Sequence, residues 1–237
     1  ICCAITEKKG ETCISSKKDW LKERMKDGLC FVKLDIRGKV FIEYLPAQNA
    51  WSPIETDNYM YINCFWVSGQ YKGQGYANQL LTYCINDAKE KGMNGLVVLS
   101  SEKKKPYLSD GQYLKHKGFL VADSIDDFEL LYLPFHLQAK IPKFKKCVYE
   151  KEAHDGWVLY YTHQCPHTSK YVPILKKHLS EKGIELKTIH IQTIEEAQNL
   201  SVPVTTYALF YNGQFITNEI LSEKSFDKLL LKLKIES

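Results

Sequence analysis

Two consecutive segments decide the fold: the apolar run Tyr59-Met-Tyr-Ile-Asn-Cys-Phe-Trp-Val67 and the loop Gln70-Tyr71-Lys72-Gly73-Gln74-Gly75-Tyr76-Ala77. The first is almost continuously apolar and aromatic, which predicts a strand buried on both faces. After the loop, residues 76–91 place apolar side chains at helical spacing, and a second apolar run follows at 95–100. The region therefore predicts a strand, a glycine turn, a helix and a second buried strand.

The loop has the residue types needed to bind an anion. Glycine adopts positive φ at little cost, so Gly73 and Gly75 allow a tight turn and a close approach to a ligand. The free N–H groups at the start of the following helix point at such a ligand, and a phosphate is the usual guest. The loop is neither a Walker A loop nor a three-glycine dinucleotide turn. A purely structural turn into a helix is the alternative.

The flanking segments extend this unit into a mixed sheet. Residues 16–28 predict an amphipathic helix, and the short helix before Gly118 can be capped by Ser109 or Asp110. Further strands are predicted at 30–35, 40–45, 119–122 and 128–133. The fold class predicted for this part is α/β, or α+β, with a mixed sheet.

Composition excludes several classes of protein. The chain has 237 residues, 44% of them hydrophobic and 25% charged, as in a soluble globular protein of two domains or one large one. The net charge of +4 shows no strong basic bias, so we expect no nucleic-acid partner. No apolar run approaches the roughly 20 residues that cross a bilayer, so we expect no membrane partner. Residues 1–9 lack the pattern of a signal peptide, and the eight cysteines form no CxxC pair, which favours a reducing cytoplasm.

A family resemblance rests on the loop and on one later segment. Gln70, Gly73 and Gly75 match, in register, the Gln/Arg-x-x-Gly-x-Gly/Ala pyrophosphate loop, and the sequence here resembles the GNAT superfamily of N-acetyltransferases. Residues 111–119 are similar to the family's later helix, which ends in Gly-Phe. The resemblance covers roughly residues 15–135. It implies a GNAT acyl-CoA acyltransferase fold, with acetyl-CoA as cosubstrate and a small-molecule or peptide amine as acceptor.

The resemblance also implies how the cosubstrate is held. Backbone N–H groups of residues 71–77 would bind the pyrophosphate, and the strands on either side of the helix would separate to admit the pantetheine arm. The N–H of Val67 would stabilise the developing oxyanion. The implied cofactor-binding residues are Phe65, Trp66, Val67, Gln70, Tyr71, Lys72, Gly73, Gln74, Gly75, Tyr76 and Ala77.

The candidate catalytic residues are less regular. Many family members place a tyrosine, which protonates the departing thiolate, four residues before the Gly of Gly-Phe. Here that position is Leu114 and Tyr113 is one residue earlier, so Tyr113 is either the general acid or a packing residue. Glu43 is a candidate base, directly or through water, and its alternative is a solvated strand carboxylate. Lys103 to Lys105 would meet a 3′-phosphate or form a solvated run.

The second half has its own order of elements. Predicted strands at 157–162, 184–191, 206–211 and 214–217 alternate with predicted helices at 169–182, 194–200 and 222–234. This order resembles the thioredoxin fold, with Cys165 in the place of the first active-site cysteine and Pro203 in that of the cis-proline. We place a GNAT domain at 1–139 and a linker plus thioredoxin-like domain at 140–237. The arrangement is similar to the YoaP-like one.

The role of Cys165 has several readings. Thr168 stands where a second cysteine would resolve a mixed disulfide, so only monothiol chemistry, or none, remains. His163, Cys165 and His167 are acceptable metal ligands, but a closed tetrahedral site needs four, and we predict no metal. For the whole chain, the alternative to an acetyltransferase is a binding protein that has kept both folds and lost both chemistries, or a redox role through Cys165.

Overall fold

The computed structural model describes residue 9 and residues 11–234. Cys2, Cys3 and most of the N-terminal stretch tested for a signal peptide lie outside that part. The class is α/β with mixed sheets, as the sequence predicts. The helices are α1 Cys13–Lys26, α2 Tyr76–Glu90, α3 Gly111–His116, α4 Pro166–Glu181, α5 Ile194–Gln198 and α6 Glu223–Leu233. The strands are β1 Cys30–Lys33, β2 Val40–Pro46, β3 Ile54–Glu55, β4 Tyr59–Val67, β5 Gly95–Ser101, β6 Leu120–Ile125, β7 Phe128–Pro134, β8 Lys143–Phe144, β9 Trp157–Tyr161, β10 Leu186–His190, β11 Tyr207–Tyr211 and β12 Gln214–Thr217.

The larger sheet has six strands in the order β1-β2-β4-β5-β7-β6. Only β4 and β5 are parallel, because α2 carries the chain back between them; the other neighbours are antiparallel. Met60 and Val98 point to one face and share a core cluster with Leu80 of α2, whereas Tyr61 and Val97 belong to a cluster on the other face. The apolar run of β4 is thus buried on both faces over its first half.

The smaller sheet has the order β10-β9-β11-β12, with β9 and β10 parallel. One of its faces packs against α4 and α6. The other face shares a single hydrophobic core with the larger sheet, in which Val158 and Phe210 join Trp51 and Leu130. The rings of Phe128 and Phe215 lie 5.5 Å apart across this core. The two sheets are therefore packed layers of one molecule and not separate bodies on a tether.

The stretch between the sheets is more ordered than the sequence indicates. The sequence analysis assigns a linker to the start of 140–237, but β8 pairs with β3 there, and the N–H of Lys145 donates to the carbonyl of Pro53 at 2.9 Å. Phe144 is buried in the shared core. Two-residue strands are too short to show an alternating pattern, which explains why neither was predicted.

Three further predictions need correction. Helix α1 begins at Cys13, three residues before the predicted start, and α4 begins at Pro166, where a proline suits the first helical position. Among the residues that the structure describes every peptide bond is trans, so Pro203 does not have the cis bond of the position it was compared with.

In the same part of the chain, no helix has the length and apolarity that crossing a membrane requires.

A buried ion pair fastens α1 to the larger sheet. The Lys17 ammonium lies 2.6 Å from Glu43 Oε2, and the two side chains are 1% and 0% exposed. The second carboxylate oxygen of Glu43 accepts a hydrogen bond from Asn63 Nδ2 at 2.9 Å. The expectation of a solvated carboxylate at Glu43 is therefore wrong. Removing one partner of such a pair leaves the other charge buried without compensation.

Lys17→Met is expected to lower the free energy of unfolding by about 3–5 kcal/mol, the usual cost of leaving one member of a buried pair alone. Urea unfolding followed by circular dichroism measures it. Lys26→Met is the matched control, because Lys26 lies on the same helix and pairs with Glu23 at the surface. Equal midpoints for the two variants would contradict a stabilising role of the buried pair.

Candidate active site

The larger sheet opens between β4 and β5. The two strands pair from Tyr59 and Gly95 as far as Ile62 and Val98, and there the pairing ends. Beyond that point β4 remains paired with β2 up to Val67, and β5 remains paired with β7 up to Ser101. Each strand keeps its outer neighbour, so a gap opens between them, as the family resemblance implies.

A β-bulge marks the place where the gap begins. Glu43 is opposite Cys64 and Tyr44 is opposite Ile62, so Asn63 is an extra residue in β4. An extra residue bends its strand and increases the local twist. The side chain of Asn63 donates to Glu43, and its carbonyl accepts a hydrogen bond from Gln164 Nε2 at 3.0 Å. The bulge is thereby fixed by β2 on one side and by the loop before α4 on the other.

The end of β4 presents unpaired backbone groups to the gap. Val40 and Val67 are opposite each other, and the N–H of Ser68 donates to the carbonyl of Lys39 at 2.9 Å. This pattern makes Val40 and Val67 a non-hydrogen-bonded pair, whose N–H and C=O groups point away from the partner strand. Val67 and, two residues earlier, Phe65 therefore direct their backbone groups away from β2 and into the gap.

Two of the amides expected to bind pyrophosphate are used inside the loop. Residues Gly69–Tyr71 form a 3-10 turn in which Tyr71 N–H donates to the carbonyl of Ser68 and Lys72 N–H to that of Gly69. The Tyr71 hydroxyl donates to the carbonyl of Arg37, and its ring fills the space that a Cβ on Gly38 would occupy. Tyr71 therefore anchors the loop to the β1–β2 hairpin.

The remaining loop amides are turned toward open space. Gly73 and Gly75 have φ of +78° and +81°, and nothing lies within 4 Å of a Cβ built on either. Gly75 caps α2, whose first N–H groups have no intrahelical acceptor. Within the described part of the chain, the N–H groups of residues 73–78 have no backbone acceptor. They form a row of donors at the positive end of a 15-residue helix.

A cavity of about 550 Å³ lies in front of these donors. Nine of the expected cofactor-binding residues line it: Phe65, Trp66, Val67, Tyr71, Lys72, Gly73, Gly75, Tyr76 and Ala77. The two glutamines do not, because Gln74 folds back to donate to the carbonyl of Gln70 and both side chains are exposed. Lys104 and Lys105, from the basic run considered for a 3′-phosphate, also line the cavity, whereas Lys103 does not. Asn78, Ser109, His116 and Lys117 line it as well, and the sequence analysis did not assign them to it.

Tyr113 faces this cavity and Leu114 does not. The Tyr113 hydroxyl donates to Asn78 Oδ1 at 3.0 Å, and its ring meets Phe65 at 5.8 Å. Asp110 caps α3 by accepting from the Tyr113 N–H. Burial raises the pKa of Tyr113, so the hydroxyl keeps its proton at neutral pH. Leu114 is fully buried in the core, so the position four residues before Gly118 contributes to packing and does not line the cavity.

A second cavity, of about 590 Å³, adjoins the first and shares Phe65 and Trp66 with it. We call it the interlayer cavity, because it is lined by residues of the larger sheet and by the loops and the start of α4 that adjoin the smaller sheet. Trp51, Tyr61 and the buried Glu43 come from the first part of the chain. The C-terminal part contributes Cys165, Pro166, His167, Pro203, Val204 and Thr205. Three sequence-derived candidates, Glu43, Tyr113 and Cys165, thus lie around two cavities that meet at the end of β4.

The loop that carries Cys165 is held by Thr168. Thr168 is fully buried, and its hydroxyl lies 2.6 Å from the carbonyl of Thr162 and 2.8 Å from that of Cys165. Burial, with a smaller effect of His190, lowers the pKa of His163 to about 4. In the part of the chain that the structure describes, no three His, Cys, Asp or Glu side chains are grouped to hold a metal ion.

Comparison with known proteins agrees with this arrangement. The model of the acetyltransferase (GNAT) family matches residues 4–105, and the YoaP-like model matches residues 185–228. A protein described as "Uncharacterized N-acetyltransferase YoaP", from Bacillus subtilis (strain 168), is 44% identical over 232 residues. The match covers 97% of this chain and 92% of that protein.

Solved structures overlap only with part of the chain. The PaiA N-acetyltransferase of Thermoplasma acidophilum, solved with coenzyme A, is 17% identical over 51% of this chain and 72% of its own, with a TM-score of 0.39. The ribosomal-protein-S18-alanine N-acetyltransferase of Escherichia coli is 15% identical over 52% of this chain and 79% of its own, with a TM-score of 0.36. Superpositions at these scores are too loose to transfer residues.

The 44% identity to YoaP, which extends over nearly the whole chain, decides the family. Together with the two family models it accounts for both halves of the chain. The chain belongs to the GNAT family of acetyltransferases, in its YoaP-like branch, and its cosubstrate is acetyl-CoA.

Proposed function

We propose that the protein transfers the acetyl group of acetyl-CoA to an amine that binds in the interlayer cavity, by direct attack in a ternary complex. The observation that carries this proposal is the junction of the two cavities at Phe65 and Trp66, where β4 has left β5. The two cavities also share Lys104, Lys105, Leu108 and Ser109, so a donor in the first cavity and an acceptor in the second would be neighbours.

The first cavity suits acetyl-CoA in shape and in donors. Acetyl-CoA supplies the activated thioester. The N–H groups of residues 73–78 hold the pyrophosphate at the start of α2, where the helix dipole favours an anion. The backbone groups of Phe65 and Val67 pair with the pantetheine amides, as an added strand pairs with an open sheet edge. Lys104 is available to a 3′-phosphate, whereas Lys105 is already paired with Asp127 at 3.0 Å.

Two groups assist the transfer at the end of β4. The N–H of Val67 donates to the carbonyl oxygen of the thioester as negative charge develops on it. The Tyr113 hydroxyl gives its proton to the departing sulfur, and for that transfer it leaves its hydrogen bond to Asn78 Oδ1. Glu43 has both oxygens engaged, so we assign it the positioning of Asn63 and not the abstraction of a proton.

The interlayer cavity limits the size and kind of acceptor. Its volume of about 590 Å³ lies in the range of small-molecule sites, and Trp51, Tyr61, Phe65 and Trp66 give it aromatic walls. We propose a small amine, or the end of a peptide, with an apolar or aromatic body.

We propose that residues 140–237 form a thioredoxin-like unit whose active-site loop now binds the acceptor. The loop contacts β4 through Gln164 and lines the cavity through Cys165 and His167. Thr168 stands where a resolving thiol would stand, and its hydroxyl fixes the loop through the carbonyls of Thr162 and Cys165. These contacts support a role of the loop as a wall of the acceptor site. They do not support dithiol exchange, because that reaction needs a second cysteine.

Gly75→Trp is expected to weaken acetyl-CoA binding at least tenfold, because an indole at this position projects into the space in front of the N–H donors. Calorimetric titration measures the affinity. Gly92→Trp is the matched control: Gly92 also has positive φ with open space around it, but it lies just after the other end of α2. Equal affinities of the two variants would exclude the loop as the pyrophosphate site.

Tyr113→Phe is expected to lower kcat for CoA release by on the order of 100-fold, the usual contribution of one general acid. Acetyl-CoA affinity stays near that of the wild type, because the ring contact with Phe65 is retained. A colorimetric assay of the thiol of released CoA gives kcat. Tyr83→Phe is the control, because Tyr83 is an exposed tyrosine of α2. An unchanged kcat in Tyr113→Phe would leave Tyr113 with a packing role only.

A further inference from the structure

Direct attack by an amine needs a proton acceptor near the acceptor nitrogen. The titratable side chains that line the interlayer cavity are few. Lys17 and Glu43 neutralise each other. Lys39, Lys104 and Lys105 carry charge of the wrong sign, and Glu219 is exposed to solvent on the segment before α6. His167 remains, together with the thiols of Cys64 and Cys165 and the phenol hydroxyls of Tyr61 and Tyr107. Of these groups only the imidazole has a nitrogen lone pair that accepts a proton while the group itself is neutral.

His167 lines the interlayer cavity together with Phe65 and Trp66, the two residues of β4 that precede Val67. It is the second residue of α4, and the buried Thr168 next to it fixes that turn to the chain at Thr162. Lys39 lines the same cavity, and its carbonyl accepts the hydrogen bond from the N–H of Ser68. Ser68 directly follows Val67, the proposed oxyanion donor. The imidazole and that donor are thus at the same end of β4.

The surroundings of His167 keep its imidazole neutral. Burial, and then the positive charges of Lys39 and Lys170, lower its pKa below the ordinary histidine value. Lys170 is itself paired with Glu11 at 2.7 Å. The centre of the His167 ring also lies 6.2 Å from that of the Tyr171 ring, and Cys165 is two residues before His167 in the chain. The positive end of the 16-residue α4 acts in the same direction. A neutral imidazole at pH 7 is able to accept a proton.

We propose that His167 is the general base of the acetyl transfer, so that the C-terminal part of the chain supplies a catalytic residue to the GNAT part. The inference rests on the proposed function of the two cavities. As the acceptor nitrogen forms its bond to the acetyl carbon, the carbon–sulfur bond breaks. An ammonium acceptor first loses one proton through His167 to solvent, so the attacking species is the free amine. One N–H proton of this amine then passes to the His167 imidazole, and the Tyr113 proton passes to the sulfur. Solvent then returns the proton from His167 to Tyr113, which leaves both groups in their starting forms.

The test compares two probe amines of similar body. 2-Phenylethylamine is an ammonium ion at pH 7 and needs a base, whereas 4-methylaniline is already neutral and loses its proton easily to water once it has reacted. CoA release is measured for the wild type, His167→Gln, His167→Ala and the control His190→Gln. His190 is a histidine of the same unit that lines neither cavity.

The expected result is a loss in kcat/KM of about 100-fold with 2-phenylethylamine for both His167 variants. With 4-methylaniline the loss is much smaller, and His190→Gln behaves as the wild type. With 2-phenylethylamine the rate of every variant falls with pH because the amine is protonated. The wild type has a second fall as pH drops through a pKa below the ordinary histidine value of about 6.5, because protonation removes the base. This second acid limb disappears in His167→Gln, and added imidazole restores part of the rate of His167→Ala.

Equal losses with the two amines, or a second acid limb that survives in His167→Gln, would overturn the inference. Calorimetric binding of acetyl-CoA to each variant shows that the protein is folded, since His167 lies outside the first cavity. Failure of the proposed function looks different, because then the wild type itself releases no CoA. Failure of this inference leaves a wild-type rate that His167→Gln shares.

Discussion

The architecture of the site depends on one extra residue in β4. The Cα of Asn63 has no opposite residue on β2, although its side chain bonds to Glu43 there. From that point β4 remains paired with β2, while β5 remains paired with β7. Without the bulge, a regular β4 would continue beside β5 and its backbone groups would be satisfied within the sheet. With it, Phe65 and Val67 have donors and acceptors that nothing in the sheet satisfies. A ligand with a peptide-like arm is the natural complement to such an edge.

The bulge in turn needs support from distant parts of the chain. The buried pair of Lys17 and Glu43 orients the carboxylate that holds the Asn63 side chain, and Gln164 holds its carbonyl. Two further contacts fasten the C-terminal part to the same region: Ser52 donates to the carbonyl of Pro203, and Thr205 to that of Trp51. Both contacts are buried, and Trp51, Pro203 and Thr205 line the interlayer cavity, so the C-terminal part is built into the wall of that cavity.

Local pattern accounts for what the sequence predicted well. The apolar run of β4, the glycine turn and the spacing in α2 are properties of adjacent residues, and the structure has all three. Long-range packing decides what it predicted poorly. The burial of Glu43 depends on Lys17, 26 positions away. The ring of Tyr71 packs on Gly38 of a distant hairpin, which is invisible in the loop's own sequence. His167 lines a cavity with residues of the larger sheet only because the two sheets pack face to face.

The central claim is that β4 offers the free backbone groups of Phe65 and Val67 to acetyl-CoA. Amide hydrogen exchange, followed residue by residue by NMR with and without acetyl-CoA, tests it most directly. In the free protein the amides of Phe65 and Val67 should exchange fast, and that of Ser68 slowly, because only Ser68 donates to β2. Acetyl-CoA should protect Phe65 and Val67 strongly and leave Ser68 nearly unchanged. Slow exchange at Phe65 and Val67 before acetyl-CoA is added, or no protection after it, would contradict the account.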